Sequence, residues 1–413
     1  MMGRGDGDPL AVVMGDVDLV RALGVAGISS AFFGFADDSA RLSRHVRVSL
    51  PWIDQWERQD ELVEALLALA RARPQPPVLF PQTDAALLLA SRHRERLAES
   101  LRLMLADVSL IEQLVDKGRF EALAARLDLP VPRAQRLRAA PHLPAPVLQV
   151  PFPLILKPFT RTPAWTSVAG PSKALHVRGR EELEALWPRL TAMRGDLLAQ
   201  QLIPGPEARI ESFHVYVDAS GSVACEFTGR KIRTFPRRYG QSTAVEVVPL
   251  ADVAELGREV VDRLALRGVA KLDFKRDDGG QLHLLEVNPR FNLWHYPGAL
   301  AGVNLPATVY ADLTGRERPP AAAPHRRVTW LDPLQDLRAV HAQRMALLAW
   351  LRWARGCEAI SGLALEDPMP FMRGKLWGAV RRRVSSRAIR VVRPSGAGRI
   401  APRARRGTAP SSE

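Results

Sequence analysis

The stretch LDFKRDDGGQLHLLEVNPR, residues 272–290, decides the fold. Two runs of strand character, VAKLDFK and LHLLEVN, flank Asp277-Asp278-Gly279-Gly280. Glycine and aspartate tolerate the backbone angles that a tight hairpin needs. A turn centred on Asp278–Gly279 pairs residue 275 with 282 and residue 273 with 284. Side chains alternate along a strand, so this register puts Asp273, Glu286 and Asn288 on one face. A one-residue bulge would undo the assignment. Two carboxylates and an amide oxygen on a rigid face form a hard-oxygen site. They are too few to enclose a cation, which suits Mg2+, or Mn2+ in its place, shared with phosphates and water. A solvated sheet face is the plain alternative. Arg290, two residues on, could meet an anion beside the metal.

Upstream, PFPLILKP (151–158) reads as a buried strand ending in Lys157. An ammonium there is costly to bury without a partner, and phosphate oxygens are suitable partners. LLAQQLIPG (197–205) offers a strand edge followed by a turn, where backbone groups could read an adenine edge. Lys117 lies in a helical pattern over 109–127.

In this order the motifs resemble the ATP-grasp ligases, over roughly residues 110–315. Asp116-Lys117 followed by LPVP resembles the family's first nucleotide lysine, and LILKP resembles the second. AQQLIPG resembles the hinge that holds adenine, with the backbone of Gln201 and Ile203 as contacts; Gln200 stands where many members have a carboxylate. The hairpin resembles the metal hairpin, with Asp273, Glu286 and Asn288 as ligands, and Arg290 matches an arginine placed on the reacting anion. SFHVYVD, FTGRKIRTFP and AGVNLP look most like the carboxylate–amine ligase branch that includes D-aspartate ligases. One departure stands out. The segment FTRTPAWTSVAGPSK (159–173), where many members have a glycine-rich phosphate loop, holds only Gly170. Thr160, Ser167 or Lys173 could help hold phosphate there.

The resemblance implies an α+β ATP-grasp fold and an ATP- and Mg2+-dependent reaction. A small-molecule carboxylate takes the γ-phosphoryl group, an amine attacks the acyl phosphate, and an amide, ADP and phosphate result. Arg230, Lys231 and Arg233 form a basic stripe on the substrate side. Lys231 and Arg233 alternate onto one strand face as carboxylate binders, unless the stripe is simply solvated. Glu211 is a candidate for the ribose or for a structural ion pair. Two rival readings are a carboxylase working through carboxyphosphate and a non-catalytic ATP-binding adaptor at a membrane.

The rest of the chain frames this module. It has 413 residues, 46% hydrophobic and 25% charged, as a soluble multidomain protein would. Residues 1–110 alternate strands and helices as a parallel α/β domain, with Thr83 or Asp84 capping the helix after PVLFPQ. The ATP-grasp domain is expected over 111–316, with a lid at about 150–205. A helical C-terminal extension follows at 329–383, and a basic, disordered tail at 384–413. The net charge of +14 is concentrated late: residues 371–413 carry +11, so the near-neutral body argues against nucleic-acid binding. Two cysteines fit a reducing cytoplasm, and neither a signal peptide nor a membrane span is expected. Residues 371–393 place Leu376, Val380, Val384 and Arg387 at near-helical spacing among arginines. That pattern suits a helix lying on an anionic membrane surface, at the inner face, or one docked on the body.

Overall fold

The computed structural model describes residues 7–376 except 160–162, 171, 173, 321–323, 325, 362 and 365. Thr160, Lys173 and the tail from 377 onward, which carries most of the expected membrane helix, lie outside the described residues.

Ala11–Met14, Ser30–Phe33, Val46–Leu50 and Val78–Pro81 form a parallel sheet, with Ala11–Met14 between Ser30–Phe33 and Val78–Pro81. Three of these strands are buried at every position, as strands covered on both faces must be. Thr83 caps the helix Asp84–Arg92, its hydroxyl accepting from the Ala86 N–H at 3.1 Å. Asp16 caps Val17–Val25 in the same way, accepting from Asp18 and Leu19.

An antiparallel sheet forms the lid, in the order Ala134–Ala139, Gly195–Gln201, Leu154–Pro158, Leu175–Val177. Its edge strand therefore comes from ahead of the expected span. Leu154, Leu156, Trp165, Trp187 and Leu190 make its core. The glycine-poor segment is helical over Pro163–Ala169, and Trp165 anchors it at 1% exposure.

A seven-stranded sheet carries the rest: Leu282–Asn288, Gly268–Arg276, Ile210–Val217, Val223–Phe235, Gln241–Val247, Val328–Leu331 and Ala359–Ile360, in that spatial order. Helix Ala251–Arg263 packs through Val253, Val260 and Val261 into the same core as Phe213 and Leu272. Helices His295–Leu300 and Leu305–Thr314 share a second core with the N-terminal sheet through Phe32, Phe80, Trp294 and Tyr310.

The hairpin register differs from the expected one. Arg276 pairs with Leu282, Lys275 with His283 and Phe274 with Leu284, one residue off. The Asp277 carboxylate explains the longer turn, accepting from the N–H groups of Gly279 and Gln281, both at 2.9 Å. Leu285 then bulges out, and Asp273 pairs with Glu286 and Lys271 with Asn288. A regular ladder would have paired Asp273 with Leu285 and turned Glu286 and Asn288 away. The bulge restores the shared face by a route the sequence did not announce.

The C-terminal extension is built in rather than appended. Helix Pro333–Ala342 delivers Asp336, 0% exposed, to Arg233. Helix Leu347–Ala354 buries Trp350 on the same carboxylate. Arg21 and Asp367 form a second buried link, from the first helix to the chain's described end. No helix among the described residues is long and apolar enough to cross a membrane.

Candidate functional site

Two clefts meet at the hairpin face. The first, of 230 Å³, lies between lid and large sheet. Lys117, Lys157, Gln200, Gln201 and Ile203 line it from one side, Glu207 from the turn, and Asp273 and Glu286 from the hairpin. The second, of 520 Å³, is bounded by Asp16 and Gln82 of the N-terminal domain, by Lys271, Asn288 and Arg290, and by Asp332, Gln335 and Ser361 of the C-terminal segment. Lys231, Gly240, Asp273 and Glu286 line both. A group bound in one cleft could therefore be handed to the other across these four residues.

Asp273 is 1% exposed and accepts from the Ser212 hydroxyl and from Lys271 Nζ at 2.7 Å, with Lys231 Nζ at 3.5 Å. Burial alone would raise its carboxyl. The two ammonium groups and the hydroxyl outweigh that and hold it well below the usual carboxylate range. The strong pull of Asp273 on two cations, beside a second carboxylate and an amide that donates to it at 3.1 Å, is a donor set fit for a hard divalent cation. Among the described residues no three His, Cys, Asp or Glu gather in a metal-holding group, so the amide of Asn288 is needed to complete the trio.

Lys117 opens the helix Lys117–Arg126 and reaches the Pro158 carbonyl at the end of the Lys157 strand. Lys157 Nζ donates to Gln200 Oε1 at 2.7 Å, and the Gln200 amide donates to Glu121 at 3.4 Å. Burial pushes Lys157 below the ordinary lysine value, against the pull of Glu286, Glu121 and Glu207. Glu121 supplies the carboxylate that Gln200 lacks. Burial pushes its own carboxyl up to about 7, with Lys157 opposing. The Gln201 N–H is already given to the Arg133 carbonyl at 2.8 Å. The free N–H of the hinge falls instead to Ile203, which has no backbone acceptor among the described residues.

Arg290 lines the second cleft and ties it to the N-terminal domain. It donates to Asp84, to the Gln82 carbonyl at 3.0 Å and to Asn288 Oδ1 at 3.3 Å.

Three expected residues stand elsewhere. Glu211 accepts from Arg276 at 2.6 and 3.1 Å and lines neither cleft, so it is the structural ion pair; Glu207, four residues earlier, lines the first cleft. Arg233 donates to both oxygens of Asp336, between 2.6 and 3.1 Å, and lies under the Trp353 ring at 3.8 Å. A bulge between Lys231 and Arg233 breaks the alternation that would have left them on one face. Arg230 is paired with Glu246 at 2.8 Å and lines neither cleft.

Lys271, Glu207 and Glu121 were missed. Lys271 had a signal, two residues from Asp273 on the same strand face. Glu121 is one helical turn from Lys117, and Glu207 follows the Pro-Gly-Pro turn.

The chain resembles known proteins in sequence and in fold. A family model described as "ATP-grasp in the biosynthetic pathway with Ter operon" matches residues 196–334. The chain is 25% identical over 294 residues to a D-aspartate ligase of Enterococcus faecium, covering 67% of this chain and 69% of that one. It is 24% identical over 183 residues to a D-alanine–D-alanine ligase of Neisseria meningitidis, covering 42% of this chain and 57% of the relative's length. Among solved structures, N5-carboxyaminoimidazole synthetase of Staphylococcus aureus superposes with a TM-score of 0.60 at 12% identity, over 82% of this chain and 85% of that one. That last likeness is one of fold.

Proposed function

We propose that the chain is an ATP-grasp ligase, as its family-model match and its D-aspartate and D-alanine–D-alanine ligase relatives support, and that it joins a carboxylate to an amine with conversion of ATP to ADP and phosphate. The observation that carries the reading is the shared wall of Lys231, Gly240, Asp273 and Glu286 between the two clefts. A phosphoryl donor in the first cleft and an acceptor in the second would meet there, as in-line transfer requires.

In this reading the hinge at Ile203 holds adenine, Glu207 holds the ribose, and Lys117 and Lys157 neutralise the phosphates. Asp273, Glu286 and Asn288 hold Mg2+, which supplies further charge neutralisation when bound. A substrate carboxylate oxygen attacks the γ-phosphorus, and ADP leaves. Lys231 and Lys271 face the transferred group and stabilise the charge that gathers on it. Arg290, fixed by Asp84 and the Gln82 carbonyl, orients the anionic substrate or the acyl phosphate. The amine then attacks the acyl carbon, phosphate departs with the bonding electron pair, and the nitrogen loses a proton. The ligase relatives suggest substrates of the amino-acid class.

Incubation with MgATP and pooled amino acids tests the reading. ADP release that depends on an amino acid, forms an amide product and is lost in Glu286→Gln supports it. ADP release that depends on bicarbonate instead, or wild-type turnover by Glu286→Gln, would overturn it.

A further inference from the structure

A third cavity, of 660 Å³, lies behind the hinge and borders the nucleotide cleft. The hinge loop 202–208 walls one side, His176 of the lid another, and the loop after strand Val223–Phe235 a third. Lys275 closes it from the large sheet. Leu202, Ile203, Glu207, Tyr239 and Lys275 line both this cavity and the nucleotide cleft.

Its charge is lopsided. Arg237 and Arg238 are exposed side chains that line this cavity and not the nucleotide cleft, and neither guanidinium pairs with a described residue. Arg233 also lines the cavity, but Asp336 holds its guanidinium. Lys275 is only 6% exposed, and no carboxylate among the described residues lies within hydrogen-bond or ion-pair distance of its ammonium; Glu207 acts on it only from farther off. The buried Nε2 of His176 has no partner either. Glu207 is the one acid in the lining.

A buried ammonium without a partner costs several kcal/mol. A fold keeps one where something outside the chain supplies the counter-charge. Two guanidinium forks beside it fit planar or tetrahedral oxyanions, which accept two parallel N–H bonds from each.

We propose that this cavity binds a small polyanion, gripped by Arg237 and Arg238 from the loop and by Lys275 from the sheet. The ligand is of the phosphate or polycarboxylate kind. Lys117, Lys157 and Asp273, the residues assigned to the nucleotide's phosphates and metal in the proposed reading, do not line this cavity. Because His176 belongs to the lid and Tyr239 faces the nucleotide cleft, a ligand held here braces lid, hinge and loop together.

Calorimetry on the full chain decides it, with pyrophosphate, inorganic phosphate and citrate each titrated with and without saturating Mg2+ and a non-hydrolysable ATP analogue. The expected result is an anion site that persists in the analogue-saturated protein. Arg237→Gln and Arg238→Gln weaken it by about tenfold or more while leaving affinity for the analogue unchanged. Preference for the phosphates assigns the phosphate source, and preference for citrate the polycarboxylate. If the analogue itself does not bind, the arginine variants still read the anion site directly, so the two readings fail separately. Absence of anion binding with the analogue present, anion binding indifferent to both arginine variants, or analogue affinity that falls along with it would overturn the proposal.

Discussion

Removal of the Asp336 carboxylate should cost stability rather than substrate affinity. In Asp336→Ala, Arg233 stays 9% exposed with no counter-charge, and Thr243 Oγ1 and Trp350 Nε1 each lose an acceptor at 2.7 Å. Breaking a buried ion pair from one side costs about 3–5 kcal/mol, because the remaining charge is stranded. The two neutral donors would add about 1 kcal/mol each if they were independent, but they share one carboxylate, so the ion-pair figure dominates. A loss of about 3–5 kcal/mol is a large part of a typical folding free energy of about 5–15 kcal/mol. Urea unfolding followed by tryptophan fluorescence reads it, since Trp350 and Trp353 pack on the cluster. The midpoint should fall by about 1 M or more for a urea slope of about 1–3 kcal/mol/M. Asp336→Asn, which keeps the shape and some hydrogen bonds, should fall less. A change below about 1 kcal/mol in Asp336→Ala, with a changed KM for the carboxylate substrate, would refute the reasoning. Arg233 would then be a substrate group after all.

Lys117→Met and Lys157→Met should each weaken binding of an ATP analogue by about 1.5–3 kcal/mol, the worth of a charge-assisted hydrogen bond, as calorimetry would show. Glu207→Gln should weaken the same analogue by about 1 kcal/mol through a lost ribose bond, whereas Glu211→Gln should leave nucleotide affinity unchanged and lower the melting temperature. Deleting Leu285 should leave a regular ladder with Glu286 still opposite Asp273 and Asn288 opposite Lys271, so ADP formation should persist, with a raised KM for ATP because Leu285 lines the nucleotide cleft; a steady-state ADP-release assay reads both.

The difference between what the residues announced and what the chain does lies in backbone irregularity and distance. The buried strands of the N-terminal sheet, the lysine strand and the metal hairpin carry local signals: apolar runs, turn residues and a short spacing of oxygen donors. The bulge at Leu285 has none, because no glycine or proline marks it. The shared face of Asp273 and Glu286 was therefore reached through a register that the turn does not adopt. The bulge beyond Lys231 is equally silent, and it separates that lysine from Arg233. Arg233 finds its partner 103 residues away, beyond any periodicity argument. Glu211 and Glu207 differ by four positions around a 3-10 turn, and only the turn's geometry decides which faces the cleft.

The central claim is that the substrate's own carboxylate becomes phosphorylated before the amide forms. Once an amino-acid substrate is identified, it can be supplied with 18O in its carboxylate, and the phosphate released during turnover analysed by mass spectrometry. The account predicts one 18O in each phosphate, in step with ADP and amide. Unlabelled phosphate, or AMP and pyrophosphate as the nucleotide products, would contradict it.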